Sequence, residues 1–564
     1  MLDLRAYRLG FAPALAALVI VAFSLQGVPD PLEPAEGTIE FDAGVATDTT
    51  RSLVRAAPDR RPGSEGAATA ADFVRSRLEQ IASGSVAEQR FEVSVDGEDV
   101  EAANVVLTLP GTSDRAILVV AERGTRSGNG IASSAAATGV LLELAAQLGV
   151  SGRERTLILA SLDGAGAEGE GAQELVDALP GRTIVDAAVV ISQPAAPAPA
   201  EPHLVVSSGG EDRPSQELIR TAEDTLQSRA QAAAGLDGSL GQVARLALPA
   251  AAGMQAALLS EGIDAVAVSG AGEAPLPADE SDELSPESLE RFGASTLALV
   301  GALDAAPPAG AGEPGSYVRL GGNTIPGWAL ALLALSLLIP PALPVALELA
   351  RARRSGTARV AAGWAVEWAL VGLAPLLGLY ALTLLGLLPS PNVPFDPGRF
   401  KIGAPEVLAM LVLAGLAVAA WWALGLRRAP SGPDPTTLGA AAGAVCIAGC
   451  IAAWLANPFL ALAMVPLAHV VMAHGTSGRR RTAVVVPLAL AALLPLAAVV
   501  LHVAGTLDWG ATTPWQLVVL VAGGGMSALE AASVAVALCA VAAVVRAALR
   551  SPRARPGGGR PVRS

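Results

Sequence analysis

Beyond residue 326 the chain alternates long apolar runs with short arginine clusters, and no other feature restricts its fold so tightly. The runs lie near 327–350, 360–388, 405–426, 437–456, 457–474, 482–504 and 515–545. About 20 mainly apolar residues, wound as a helix, cross the hydrocarbon of a bilayer. Backbone amides in hydrocarbon must bond within their own segment, so such runs fold as helices. An eighth run, 9–28, follows Arg5 and Arg8 and reads as an uncleaved anchor, because no small-x-small site succeeds it. The expectation is an all-α polytopic membrane domain, with about eight transmembrane helices in total. The weakest of these runs are 457–474, which is short, and 515–545, which is long and contains Gly523–Gly525.

Arginine positions orient the bundle. One cluster is Arg351, Arg353, Arg354 and Arg359, a second Arg427 and Arg428, a third Arg479, Arg480 and Arg481. The tail adds Arg546, Arg550, Arg553, Arg555, Arg560 and Arg563. With the N-terminus inside, all of them fall on the cytoplasmic side, as the positive-inside rule requires. Loops 389–404 and 505–514 then lie outside, together with the acidic region 29–325. The sequence thus predicts a multi-pass plasma-membrane protein with both termini cytoplasmic. Its parts are a cytoplasmic N-terminus and anchor (1–28), an exported domain (29–325), a seven-helix membrane domain (326–550) and a basic tail (551–564).

Composition narrows the partners. The formal net charge of −14 and the absence of a basic stripe exclude nucleic acid as a partner, since nothing neutralises phosphates along a backbone. Membrane lipid is the expected surrounding, with 52% of residues hydrophobic. The cysteines, Cys446, Cys450 and Cys539, all lie in apolar runs, so the exported region carries no disulfide and no zinc-ribbon or thiol-redox motif.

Residues 29–325 alternate strand-like and helix-like segments. "RAILVVAE" (115–122), "RTLILASLDG" (155–164) and "DAAVVISQP" (186–194) are short continuous apolar runs, as buried parallel strands are. "NVVLTLPG" (104–111) is a further strand, and "QAALLSEGIDAVAVSG" (255–270) a helix–strand pair. Helical spacing marks 67–82, 137–149, 170–179 and 285–304, the last capped by Ser285 with Pro286 in its first turn. The alternation predicts an α/β domain with a mostly parallel sheet.

"VVAERGTRSGNGIASSAAATGVLLELAAQLG" (119–149) has the strand–loop–helix form of a catalytic segment without catalytic residues. Glu122, Gly124, Ser134 and Ala135 stand where such residues belong. Ser133 and Ser134 open the helix with no histidine near in sequence, and "GTRSGNG" lacks the Gly-Lys-Ser/Thr of a phosphate loop. The single histidine of the exported region, His203, sits on a proline-rich connection.

Over residues 50–305, "RRPGSEGAATAADFVRSRLEQ" (60–80), "NVVLTLPG", the 115–122 strand with "TGVLLELA" (138–145), "RTLILASLDG" and "GIDAVAVSG" (262–270) follow in an order and spacing that resemble the co-catalytic di-zinc aminopeptidases. That zinc-exopeptidase fold also serves transferrin-receptor and glutamate-carboxypeptidase-type ectodomains. The resemblance implies metal ligands that this chain lacks. The family's His and Asp after the first strand meet Ala121-Glu122-Arg123-Gly124, and its bridging Asp meets Ala135. Asp163-Gly164 is kept, but the two glutamates that should follow are Ala165-Gly166. A further Asp falls near Ser192 and the last His near Pro275. A hydrolytic zinc needs about three protein ligands around an open position, and no family ligand is retained. The layout of one span, a ligand-less exported domain and further spans is similar to the attachment subunit of the GPI transamidase complex.

These features predict a pseudo-peptidase with no catalytic residues, no metal and no cofactor, which binds a peptide, glycan or lipid-linked ligand or scaffolds a membrane-protein complex. The crevice beyond the strands would offer Glu122, Arg123, Ser134, Ala135, Asp163, Ser192, Gln193 and Glu273 as contacts, with Arg126 nearby. The competing reading of this crevice is drift to small residues after catalysis was lost. One rival function is a zinc exopeptidase with displaced ligands, for which Glu168 and Glu170 are the nearest spare carboxylates. Another is a transporter with an accessory exported domain, supported by Glu367, His469 and Glu530 within apolar runs. Glu367 and His469 fall at similar depth, where they could pair or simply order the bundle.

Overall fold

The computed structural model describes the chain apart from residues 1, 35–39, 82, 96–97, 127, 165–168, 182, 196–200, 275–283, 308–311, 390–399, 401, 427–431, 476–479 and 550–564. Seven strands form one sheet: β1 (Ser85–Val95), β2 (Glu98–Leu109), β3 (Arg115–Glu122), β4 (Thr156–Leu162), β5 (Ile184–Ser192), β6 (His203–Val205) and β7 (Ala265–Ser269). Their order is β1-β2-β4-β3-β5-β7-β6. The apolar runs β4, β3, β5 and β7 are mutually parallel and buried on both faces. β1, β2 and β6 join antiparallel. The sheet is therefore mixed rather than mostly parallel. Antiparallel edges can keep one face wet, and β1, "SVAEQRFEVSV", alternates partly buried with exposed residues. That polarity hides it from a search for apolar runs.

Side-chain alternation along the central strands feeds two apolar layers. Ile117, Val119, Leu157, Leu159 and Val189 pack with residues of helices Ala43–Ala56, Glu65–Leu78, Ser134–Gly149 and Pro286–Ala305. Leu118, Val120, Ile158, Ala160 and Val190 pack with Leu175 of Glu170–Asp177 and with Leu258 and Leu259 of Met254–Ser260. Helix Pro286–Ala305 starts as its sequence requires, Ser288 N donating to Ser285 Oγ at 3.2 Å. Gly139 lets two helices touch closely: a Cβ there would lie 2.7 Å from Ala46 O.

Among the described residues, seven helices are long and apolar enough to cross a membrane: Leu4–Phe23, Gly327–Arg354, Ala358–Leu384, Ala404–Ala423, Pro435–Ala456, Val484–Thr506 and Ala528–Ala548. The expected run 9–28 is the helix Leu4–Phe23, and two further spans differ. Run 457–474 is the α-helix Pro458–His469 continued by a 3-10 turn, Val470–Gly475. The steeper rise of that turn stretches the pair to about 30 Å, near the thickness of the hydrocarbon. Run 515–545 breaks into Thr513–Ala522 and Ala528–Leu549, because Gly524 takes φ +80° and Ser527 starts a new helix. Small residues bring helix Pro435–Ala456 close to its neighbours, as in membrane helix pairs generally. A Cβ on Gly443 would lie 2.6 Å from Val471 Cγ2, and one on Gly449 3.1 Å from Ser533 O.

The α/β domain is docked on this bundle. Gln26–Gly27, after the first apolar helix, pairs with the hairpin Tyr317–Leu320 and Asn323–Pro326 that precedes the second. Helix Ser239–Ala247 of the α/β domain packs on Pro458–His469 and Arg480–Thr506. Ala244, Leu246, Ala247 and Leu248 share one buried cluster with Leu460, Met464, Val503 and Leu507. At the contact, Asn457 Nδ2 donates to Leu246 O at 2.9 Å, while its Oδ1 accepts from Phe459 N at 3.0 Å and Leu460 N at 2.9 Å. One side chain thus satisfies a C-terminal carbonyl of one helix and two N-terminal amides of another, groups that helices leave unbonded.

Candidate functional site

At the carboxyl ends of β3 and β4, where the resemblance places metal ligands, two arginines fill the space. Arg60, fully buried, donates from Nε to Arg123 O (2.9 Å), from Nη1 to Ala57 O (2.9 Å), and from Nη2 to Asn129 O (2.8 Å) and Ser134 Oγ (3.1 Å). Arg123, 1% exposed, donates from Nη1 to Ser161 O at 3.1 Å and from Nη2 to Ala103 O at 2.6 Å. Its Nη2 also lies 3.1 Å from Asp163 Oδ2. Burial pulls the Arg123 guanidinium below its ordinary pKa, and Asp163 opposes that shift. Asp163 further accepts from Gly164 N at 2.8 Å. Arg60 binds backbone carbonyls of the loops and Arg123 those of strands β4 and β2, and together they tie the strand ends.

The structure brings Arg123, Asp163 and, through Arg60, Ser134 together, all buried. Ala135 is fully buried against Leu53, Ala57 and Ala70 and offers no surface. Glu122, Ser192 and Gln193 are half-buried at their strand ends, with Gln193 Nε2 donating to Ala274 O at 3.2 Å. Arg126 is exposed. Ala165, Gly166, Glu168 and Pro275 lie outside the described residues. Among the described residues no three His, Cys, Asp or Glu side chains converge as metal ligands would. Arg60 was legible only as the arginine of the resemblance, and its role as a tie needed the fold.

The polar residues of the apolar runs have local partners. Ser527 and Glu530 form a capping box: Ser527 N donates to Glu530 Oε2 at 2.7 Å, and Glu530 N to Ser527 Oγ at 3.3 Å. The motif "SALE" (527–530) carries that signal in sequence. His469 does not pair with Glu367. Its Nε2 bonds Leu337 O at 2.9 Å and its Nδ1 bonds Tyr7 Oη at 2.8 Å. Leu337 stands four residues before Pro341, which has no N–H to give its carbonyl. A carbonyl only accepts, so Nε2 carries the proton and Nδ1 accepts from the Tyr7 hydroxyl. His469 thereby repairs a proline gap and fastens the N-terminal helix. The half-buried Glu367 also engages other groups.

A cavity of about 190 Å³ lies where β6, the end of β7 and helix Ser239–Ala247 meet Thr506 of the bundle. Glu273 lines it, held by Arg245 Nη2 at 2.7 Å to both carboxylate oxygens and by Ser207 Oγ at 2.7 Å. His203, Arg213, Asp237 and Gln242 also line it. His502 Nε2 lies 3.1 Å from Asp237 Oδ1. Sequence reading found Glu273 but not Arg213, Arg245 or Asn457, which stand in unremarkable helical and loop contexts.

A buried carboxyl, Asp264, and a half-buried one, Glu211, make stability pH-dependent. Burial pushes Asp264 up to about 6, although Ser215 N donates to it at 2.7 Å. Burial, then the nearby Glu530 and Asp212, push Glu211 up to about 7. A carboxyl raised by folding binds its proton more tightly in the native state. Its contribution is whole below the unfolded pKa, near 4, and is lost as pH rises through the folded value. The thermal midpoint is therefore expected to carry a falling component between about pH 4 and 7. Subtracting the profile of Asp264→Asn isolates the lower half of that window, up to about pH 6, and an unchanged profile would count against the assignment.

No family model and no curated protein matches the chain. Among solved structures it is similar to glutaminyl cyclases and exopeptidase-like proteins. The glutaminyl cyclase of an Acidobacteriales bacterium is 18% identical, over 50% of this chain and 99% of that one, with a TM-score of 0.37. For the Porphyromonas gingivalis glutaminyl cyclase the figures are 15%, 47%, 99% and 0.35. For a leucine aminopeptidase precursor from Bacteroides thetaiotaomicron they are 15%, 46%, 97% and 0.34.

Proposed function

We propose that this chain is a non-catalytic, multi-pass membrane protein whose α/β domain binds a lipid-linked, peptide or glycan ligand or scaffolds a membrane complex on the outer face. The carrying observation is the pair Arg60 and Arg123, whose donors are bonded to backbone carbonyls of loops and strand ends where a hydrolase would hold its reacting atoms. Guanidinium groups bonded at these strand ends support the reading that the described residues there do not serve as an open metal site. Docking of helix Ser239–Ala247 on the bundle supports a role exercised at the membrane surface rather than on a free tether. The similarity of layout to the GPI transamidase attachment subunit points the same way, toward a fold kept for presentation.

The test uses the full chain purified in mild detergent. Zinc measured by mass spectrometry is expected to be far below stoichiometric, and aminoacyl reporter substrates are expected to stay intact. Tightly held zinc at one ion per chain or more would overturn the reading and favour the exopeptidase with displaced ligands.

The arginine pattern further proposes eight spans with both termini cytoplasmic in the plasma membrane, the short helix Pro458–Met472 being the eighth. A tag after Ser564 is expected to resist external protease in intact cells. Its digestion would mean that Pro458–Met472 stays on one side of the membrane.

A further inference from the structure

We propose that the cavity between the α/β domain and the bundle is a binding site for a phosphate group, presented on a lipid head group or as the free ion. The inference rests on the reading of the chain as a protein that binds at the membrane. Its central residue is Arg213, 6% exposed. Nη1 donates to Gln242 Oε1 at 2.6 Å, and the guanidinium carbon lies 5.1 Å above the Tyr317 ring. No described carboxylate comes within ion-pair distance of it. The other buried arginines differ. Arg123 and Arg155 meet Asp163 and Asp186, and Arg60 is surrounded by carbonyls.

A buried guanidinium is unfavourable unless its charge and its remaining N–H groups are met. Gln242 and the Tyr317 face meet only part of that need. Of the cavity's two carboxylates, Glu273 is held by Arg245 and Ser207, and Asp237 acts on Arg213 across the cavity without touching it. The cavity therefore presents a buried guanidinium with no described carboxylate in contact with it. His203 stands on the same wall, its Nδ1 lacking a hydrogen-bond partner. Gly235, at φ +67°, permits that ring to pack where a Cβ would come within 2.6 Å of it.

Size and place narrow the ligand to a small anion. The volume, about 190 Å³, is below the ~300 Å³ at which pockets for drug-sized molecules begin. It accepts a phosphate with a short stub and excludes a folded peptide or glycan. Thr506 lines it and is the last residue of an apolar helix long enough to span a bilayer, so the opening lies at the level of lipid head groups. Planar guanidinium forks bind phosphate oxygens in pairs, which suits Arg213 better than a point charge would.

The test compares wild type, Arg213→Gln and Thr506→Trp, the last filling the cavity without touching Arg213. Binding is read by the rise in melting temperature of the full chain. Inorganic phosphate is titrated in detergent against chloride at equal ionic strength, and phosphatidylglycerol nanodiscs are compared with phosphatidylcholine nanodiscs. Lipid phosphorus retained by the purified chain is measured in parallel. A rise with free phosphate assigns that source. A rise only with phosphatidylglycerol, or about one retained lipid phosphorus per chain, assigns the head group. In either case binding is expected to weaken about tenfold or more in Arg213→Gln. Should that variant not fold, the same loss in Thr506→Trp carries the test. No stabilisation by either probe and no retained phosphorus in wild type would overturn the proposal, as would undiminished binding in the variants. None of these readouts depends on zinc or peptidase activity, so failure here is distinct from failure of the non-catalytic reading.

Discussion

Arg123→Met is expected to destabilise the α/β domain by about 3–5 kcal/mol, the range for removing one partner of a buried ion pair. Asp163 is itself 6% exposed and would be left charged without its guanidinium, and the carbonyls of Ala103 and Ser161 would lose their donor. A loss of that size approaches the whole stability of many domains. Pulse proteolysis of the full chain in urea and detergent measures it. The double variant Arg123→Met/Asp163→Asn should recover part of the loss, because no buried charge then lacks a partner. If the single variant is as stable as wild type, the arginines do not hold the strand ends together. The outcome also bears on function, since the same ties occupy the place where the resemblance would put a metal.

Asn457→Ala should cost about 2–4 kcal/mol, from a lost helix cap and a buried carbonyl left without a donor. The side chain is 1% exposed and bonds both sides of the junction, so water cannot easily replace it. Hydrogen exchange is expected to quicken together at the start of Pro458–His469 and around Leu246. Asn457→Ser separates the two roles: it can cap the bundle helix but cannot donate to Leu246 O from the same reach. It should fall between wild type and alanine. Unchanged exchange around Leu246 in both variants would mean that apolar packing alone holds the domain on the bundle.

Periodicity determined much of this protein. Continuous apolar runs at 115–122, 155–164 and 186–194 became central strands, and Ser285-Pro286 opened a helix as written. Such features depend on neighbours a few residues apart, which a sequence displays directly. The apolar helices beyond 326 were legible for the same reason, because length and hydropathy are local quantities. β1 and β6 were not legible: one is polar and the other has three residues, and both are strands because a sheet edge was there to pair with. The site divided along the same line. Which residue types stand at the matched positions could be read one by one. How they are bonded could not, because Arg60 reaches Asn129 and Ser134 across long sequence separations. Glu530 was written as a capping box in "SALE", whereas His469 acquires its role only when a proline-freed carbonyl from another helix comes within 2.9 Å. The junction cavity belongs wholly to the tertiary structure. Arg213, Gln242, Glu273 and Thr506 come from separate elements of both parts, and only their packing sets a buried cation beside empty space.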